Sequence, residues 1–324
     1  MRTRITDLLG IRHPVILGGM SSGTDSRLVA AVSRAGGLGI LGASGLSAEA
    51  LESEVASIRE QTPNPFGLNL LLWSSAQKVE AVLAQQPAVL STAWGDVSPF
   101  VAAAHDADVL VMHMVHDVAG ARQAAQAGVD VIVAQGHEGG GHVGMQSTLT
   151  LVPQVVDAVD DVPVVAAGGI ADGRGLAAAL ALGAEAVLMG TRFLATLEAP
   201  IPDGWKRAIV DAGGSETVYS KVIDIAFQAP WPEPAGVRAI RNRFLERWLG
   251  REEEVRATEG ALGRQLAEAR RQDEPEGMAL MAGEVVGLID DLPGAGDVVE
   301  RIAREAEALL PRLAAKASGR PVRS

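Results

Sequence analysis

The segment Gln135–Gly144, QGHEGGGHVG, sets five glycines around two histidines and one glutamate. Glycine strips side chains from the backbone and lets it lie close to a ligand. An imidazole with its ordinary pKa of about 6.5 can take or give a proton near neutral pH. Together they point to a backbone cradle with one acid/base group, His142, aimed at whatever it holds. Glu138 orients His142 or caps the loop, and the structural role is the simpler one. His137 is given no role. His105, His113 and His116 fall around one apolar run, LVMHMV, where His113 alternates with apolar residues. It faces the interior of the fold as a second polar group over a substrate, or is a core histidine. No carboxylate shares a helical i, i+4 face with the three, so no metal site is expected.

The elements that must position this loop are short apolar runs. PVILGG (14–19), LGILGA (38–43), FGLNLLL (66–72), AVLSTAWG (88–95), DVLVMHMV (108–115), DVIVAQG (130–136), VPVVAAGG (162–169) and AVLMGT (186–191) recur every 20 to 30 residues. Apolar on both faces, they read as buried parallel strands. Helical patterns lie between them at Asp25–Ala35, Ala48–Glu60, Val118–Gln126 and Gly173–Leu182. Eight successive βα units predict an α/β fold of the (β/α)8 TIM-barrel type, with an open doubly wound sheet as the alternative. After Thr191 the rhythm stops. Glu198–Pro234 carries five prolines and is expected to be loop. The charged stretch from Val237 to Gln272 reads as the helices of a small cap, with REEE (251–254) a solvated face. DVVERIAREAEALLPRLAAKA is predicted to pack back as an eighth helix. The expected division is 1–200 barrel, 201–285 loop and helical cap, and 286–324 C-terminal helix.

Composition narrows the function. The 324 residues are 48% hydrophobic, enough for one barrel and a smaller addition. A net charge of −12 disfavours nucleic acid as a partner. With no cysteine, disulfides, thiolate metal sites and cysteine nucleophiles are excluded, and a cytoplasmic location is consistent. No signal peptide and no membrane span is read from the chain. Thirty-seven glycines against five Trp, five Phe and one Tyr suit a parallel sheet under small-residue helices.

Barrel chemistry sits at the C-terminal ends of the strands. Gly168 and Gly169 follow the seventh run, before a helix opening near Asp172; Gly190 and Thr191 follow the eighth. Glycine pairs there form either tight turns or, with helix N-terminal amides and the Thr191 hydroxyl, a phosphate cradle. Arg192 adds a charge or makes a structural ion pair. Asn69 and Gln135 each bond the polar edge of a flat heterocycle or bond protein. A phosphate end beside an amide-edged, glycine-lined space suggests flavin mononucleotide, FMN. Tyr219 and Lys221 are candidates to reach over the mouth.

The ordered motifs GGM, FGLNL, QGHEGGGHVG, VVAAGGIADGRG and MGTRF resemble those of the nitronate monooxygenase family, formerly 2-nitropropane dioxygenases, over nearly the whole chain. The family often has EAGGH where this chain has EGGGH, which leaves the histidine in register. The resemblance implies an FMN-dependent barrel that oxidises alkyl nitronates or nitroalkanes with dioxygen to a carbonyl compound and nitrite. It implies FMN contacts from Gly18, Gly19 and Met20 at the first strand end and from Asn69 in the third strand. It implies others from Gln135, Gly140 and Gly141 at the sixth, Gly168 and Gly169 at the seventh, and Gly190 and Thr191 at the eighth. His142 is implied as catalytic. The partners implied are a small substrate and dioxygen; oligomeric state stays open. FMN-dependent enoyl-acyl-carrier-protein reductases share the fold and a glycine loop ending in histidine, and NADH:quinone reductases are similar in sequence. No G-x-G-x-x-G with a following acidic residue is present, but a nicotinamide can stack on a flavin without one. A non-catalytic flavin barrel and a sugar-phosphate isomerase are the remaining alternatives.

Overall fold

The structure, a computed structural model, describes residues 1–318; the end of the 286–324 segment lies outside the described residues. The eight apolar runs form β1 (Val15–Leu17), β2 (Leu38–Gly42), β3 (Phe66–Leu71), β4 (Val89–Ala93), β5 (Leu110–Val115), β6 (Val131–Gln135), β8 (Val164–Ala167) and β9 (Ala186–Met189). All pair in parallel, in that order, and β9 closes on β1 through Ile16↔Leu188. Interior positions such as Ile16, Leu38, Ile40, Met112, Val133 and Val165 pack into one apolar cluster. Its lower end is closed by Ile5 and Leu9 of a helix at Arg4–Leu9, a plug the strand period does not announce.

Helices start where polar caps follow the strand ends. Asp25, Ser47, Asp117 and Asp172 each accept a backbone N–H from the first turn of the helix they precede. Such caps contribute about 1 kcal/mol each and fix where the chain turns back from the barrel mouth. The helix Thr148–Ala158 has no side-chain cap of its own. The Glu138 carboxylate supplies it instead, accepting from Thr148 N at 2.9 and 3.1 Å. This ties the glycine loop to the helix that follows it. The long helix Ala295–Ala317 packs between helices Gly173–Ala181 and Ser26–Arg34.

Two expectations need correction. The proline-rich stretch is not all loop: it holds a helix at Asp203–Asp211, the strand β10 (Thr217–Ser220) and a helix at Val222–Ala226. The start of the charged cap region is strand, not helix: Gly236–Ile240 forms β11, fully buried. The reason is tertiary. Part of the glycine loop is itself a strand, β7 (Gly141–Val143), and β10, β11 and β7 make a three-stranded antiparallel sheet over the barrel mouth. β11 sits in the middle, with Val237 opposite His142. Helices Arg243–Trp248, Glu252–Arg256 and Ala261–Arg271 complete the cap.

Candidate active site

The strand ends open into a cavity of about 410 Å3, and the twelve residues singled out above all line it. His142 is fixed by β7. Its Nε2 lies 2.8 Å from Asp224 Oδ1, and its ring stacks on Trp231 with centroids 3.3 Å apart at 14°. Both side chains of the His142–Asp224 pair are nearly buried, at 13% and 10% exposure. Asp224 Oδ2 is buried with no partner among the described residues. The pairing places the proton on Nε2 when the ring is neutral, so the Nδ1 lone pair is the free one. Among the described residues Nδ1 has no hydrogen-bond partner, and it is not fully buried.

The amide edge forms on β3 and β6. Asn69 donates from Nδ2 to Ser91 Oγ at 3.1 Å, and among the described residues its Oδ1 has no partner. Gln135 Oε1 meets His116 Nε2 at 2.9 Å, and His116 stacks on Trp94 with centroids 3.8 Å apart. Burial pulls the His116 pKa down to about 4, so the ring is neutral and its N–H donates to Gln135. The Gln135 amide nitrogen is thereby turned away from His116. Each amide is thus anchored to protein at one end, and both residues line the cavity.

Gly168 and Gly169 take φ of +96° and +70°, a backbone that glycine adopts without strain. The backbone N–H groups of Gly168, Gly169 and Gly190 find no acceptor in the protein among the described residues. Thr191 Oγ1 accepts from Gly283 N at 3.0 Å, and its own hydrogen is free to donate. The helix terminus expected to help hold a phosphate does not serve. Asp172 takes the amides of Arg174 and Gly175, and Glu305 takes that of Gly173. The available donors are the amides of the glycine turns and the Thr191 hydroxyl. Gly140 is glycine because Gly283 N would lie 2.5 Å from a Cβ there, so close backbone packing dictates it.

Other candidates resolve as structural. Glu138 caps a helix, and His137 Nδ1 bonds Gly144 O at 2.6 Å. His113 is a core residue bonded to Thr92 Oγ1 at 2.8 Å, its pKa lowered to about 4 by burial. Arg192 pairs with Asp291 at 2.9 Å, beside a second cavity between helices Gly173–Ala181 and Ala295–Ala317. Tyr219 and Lys221 do not reach the mouth; they bond Pro234 O and Glu233. What reaches over it from that segment is Trp231, with Asp224 behind His142. Arg270 and Trp205 also line the cavity and went unread. Two signals were available: Asp224 is a lone carboxylate in the apolar run VIDIAF, and tryptophan is scarce in this chain.

Unpaired glycine amides at two strand ends, two anchored amides and a histidine–carboxylate pair thus meet on one cavity at the mouth of a closed barrel. The sequence pattern of the nitronate monooxygenase family matches residues 2–77 and 74–305, and the chain belongs to that family. Enzymes of this family are flavin-dependent oxidoreductases. The chain is 34% identical to FabK from Thermotoga maritima, with a TM-score of 0.88 over 98% of this chain and 99% of that one. It is 30% identical to the nitroalkane oxidase from Streptomyces ansochromogenes, with a TM-score of 0.81 over 95% and 99%. It is also 33% identical to a (3aS,4S,5R,7aS)-5-hydroxy-7a-methyl-1-oxo-octahydro-1H-indene-4-carboxyl-CoA dehydrogenase from Rhodococcus jostii, over 94% of this chain and 96% of that one. No helix among the described residues is long and apolar enough to cross a membrane.

Proposed function

We propose that this protein binds FMN and oxidises alkyl nitronates, or nitroalkanes through their nitronates, to a carbonyl compound and nitrite with dioxygen. The observation that carries the reading is His142: an imidazole on the cavity wall, held at Nε2 by Asp224, with Nδ1 free. The residues present fit the cofactor. The unpaired amides of Gly168, Gly169 and Gly190 and the Thr191 hydroxyl suit its phosphate. The anchored amides of Asn69 and Gln135 and the backbone of Gly18, Gly19, Met20 and Gly141 border the space for its ring. Bound FMN would supply electron acceptance and the reaction with dioxygen.

The remaining work falls to the chain. His142 Nδ1 takes the proton from the carbon beside a nitro group, and the protonated ring then donates to a nitronate oxygen. Asp224 holds the ring's tautomer and offsets the positive charge the ring gains. Trp231 and Trp94 keep that end of the cavity apolar and exclude water. A second reading, FMN-dependent reduction of an enoyl or quinone substrate by a nicotinamide, is supported by the likeness to FabK and to the Rhodococcus dehydrogenase.

The test is oxygen uptake and nitrite release by the purified yellow protein with propyl-2-nitronate, without a nicotinamide. Stoichiometric nitrite supports the first reading. No nitrite, with rapid NADH oxidation in the presence of an enoyl thioester or a quinone, supports the second and overturns the first.

A further inference from the structure

One histidine behind the cavity wall is unused by this chemistry. His116 Nε2 lies 2.9 Å from Oε1 of Gln135, a wall residue. Its ring is gripped from two sides. Trp94 stacks on it at 25°. Gly144, the last glycine of QGHEGGGHVG, leaves the room the side chain fills: a Cβ at 144 would stand 2.6 Å from His116 Cβ. Trp94 is itself strained. Its φ is +55°, in the left-handed region that a bulky residue enters only when its surroundings demand it. Its carbonyl accepts from Trp73 N at 2.8 Å, which ties the turn down. Backbone strain of this kind gathers at functional sites.

What the grip fixes is an amide. A glutamine can present an oxygen or an NH2 to a ligand, and the two have opposite hydrogen-bonding character. His116 is neutral, because burial holds its pKa at about 4. A neutral ring has one N–H, and the contact with an amide oxygen places it on Nε2. Gln135 Nε2 then has no acceptor among the described residues and is not fully buried. It lies beside the wall, 3.4 Å from where a Cβ of Gly139 would stand. Asn69 is arranged the opposite way, with Nδ2 taken by Ser91 and Oδ1 unpartnered. One amide therefore offers a donor and the other an acceptor.

We infer that His116, braced by Trp94, is a positioning residue that holds the Gln135 amide with its NH2 toward the flavin ring and so raises the flavin's reduction potential. Hydrogen bonds to the ring tune a flavin's electronics. An N–H donor stabilises the ring more once it has gained electrons than before. His116 touches neither substrate nor ring and acts through Gln135 alone. The inference rests on the FMN reading of the site and on no particular substrate.

Two measurements test it. The first needs no substitution. Nitrogen NMR of the FMN-loaded protein with isotope-labelled histidine should show the His116 proton on Nε2 and none on Nδ1 between about pH 6 and pH 8. A proton on Nδ1 would turn the Gln135 amide round and overturn the inference. The second compares the midpoint potential of bound FMN, by equilibration with redox dyes, in wild type, His116→Phe and His116→Gln. Phenylalanine keeps the stack on Trp94 and removes the N–H; glutamine carries an N–H to about the reach of Nε2. His116→Phe should shift the flavin equilibrium about tenfold toward the oxidised form, about 30 mV lower for a two-electron couple. Its FMN affinity should fall about 2- to 10-fold. His116→Gln should recover most of the shift. If His116→Phe does not fold, His116→Asn, whose amide stops short of the Gln135 oxygen, takes its place. A shift of less than about twofold, about 10 mV, or an equal fall in the variants with and without the N–H, overturns the inference and leaves the ring as packing. Protein that takes up no FMN fails the cofactor reading and the inference with it. FMN bound at an unchanged potential fails the inference alone.

Discussion

Asp224→Asn should separate stability from activity. In the folded protein the carboxylate spends one oxygen on His142 at 2.8 Å and leaves the other buried and unpartnered. A buried unpaired polar atom costs about 1–3 kcal/mol, and a charged one more. Asparagine has nearly the same shape and no charge, so the variant should be as stable as wild type or more so. The same substitution removes the charge facing the imidazole when it takes up a proton. Hydrogen bonds to charged groups contribute about 1.5–3 kcal/mol, which is about 10- to 150-fold in rate. The amide can also turn its NH2 toward Nε2 and reverse the ring's tautomer, adding to the loss. Urea unfolding and oxygen uptake with neutral 2-nitropropane, whose proton the imidazole must take, on protein shown to retain its yellow colour, read the two effects. Unchanged stability with kcat/KM down by one to two orders of magnitude is the expected pair of results. A variant within about twofold of wild-type activity would refute the pairing as part of the mechanism. Equal losses of both would make Asp224 merely structural.

Three further outcomes follow from the same geometry. Gly168→Ala puts a Cβ 2.8 Å from Gly136 O at φ +96°, so it should lose about 1–2 kcal/mol to the left-handed backbone alone and purify with little flavin. Thr191→Val strands the Gly283 amide and removes a free hydroxyl from the cradle; flavin fluorescence should show FMN affinity about tenfold weaker or worse. Burial holds His113 at about 4 in the folded protein, whereas the unfolded chain titrates near 6.5. Between these values the unfolded state binds more protons, so stability is full above about pH 6.5 and falls as pH drops toward 4. For His113 alone the loss from pH 7 to pH 5 is about 2 kcal/mol, measurable by urea unfolding at the two pH values.

The barrel was legible because each strand is local: an apolar run, then Gly, then a capped helix, repeated until the sheet closes. His142 and the glycine turns were legible because a residue type and its neighbours carried the signal. What stayed hidden arises between distant segments. Asp224 meets His142 across 82 positions of chain, and the contact exists because β7 pairs with β11. The GHV of β7 is too short and too glycine-flanked to read as a strand, so β11 had no visible partner and looked like the start of a helix. Prolines at 230, 232 and 234 spoke for a loop, correctly around Trp231, and masked the order on either side. Arg270 looked like one more charge on an exposed helix. Only the fold turns it toward the cavity and leaves it without a carboxylate.

The central claim is that an imidazole at position 142 works on a nitronate beside bound flavin. Anaerobic titration of the purified protein with 2-nitropropane, which becomes the nitronate only by losing its proton at the site, followed in the visible spectrum, tests it most directly. Wild type should be yellow and bleach with the nitroalkane alone, while His142→Ala stays yellow and bleaches about 10²–10⁴-fold more slowly. A colourless protein, or one that bleaches only with NADH and equally fast without His142, would contradict it.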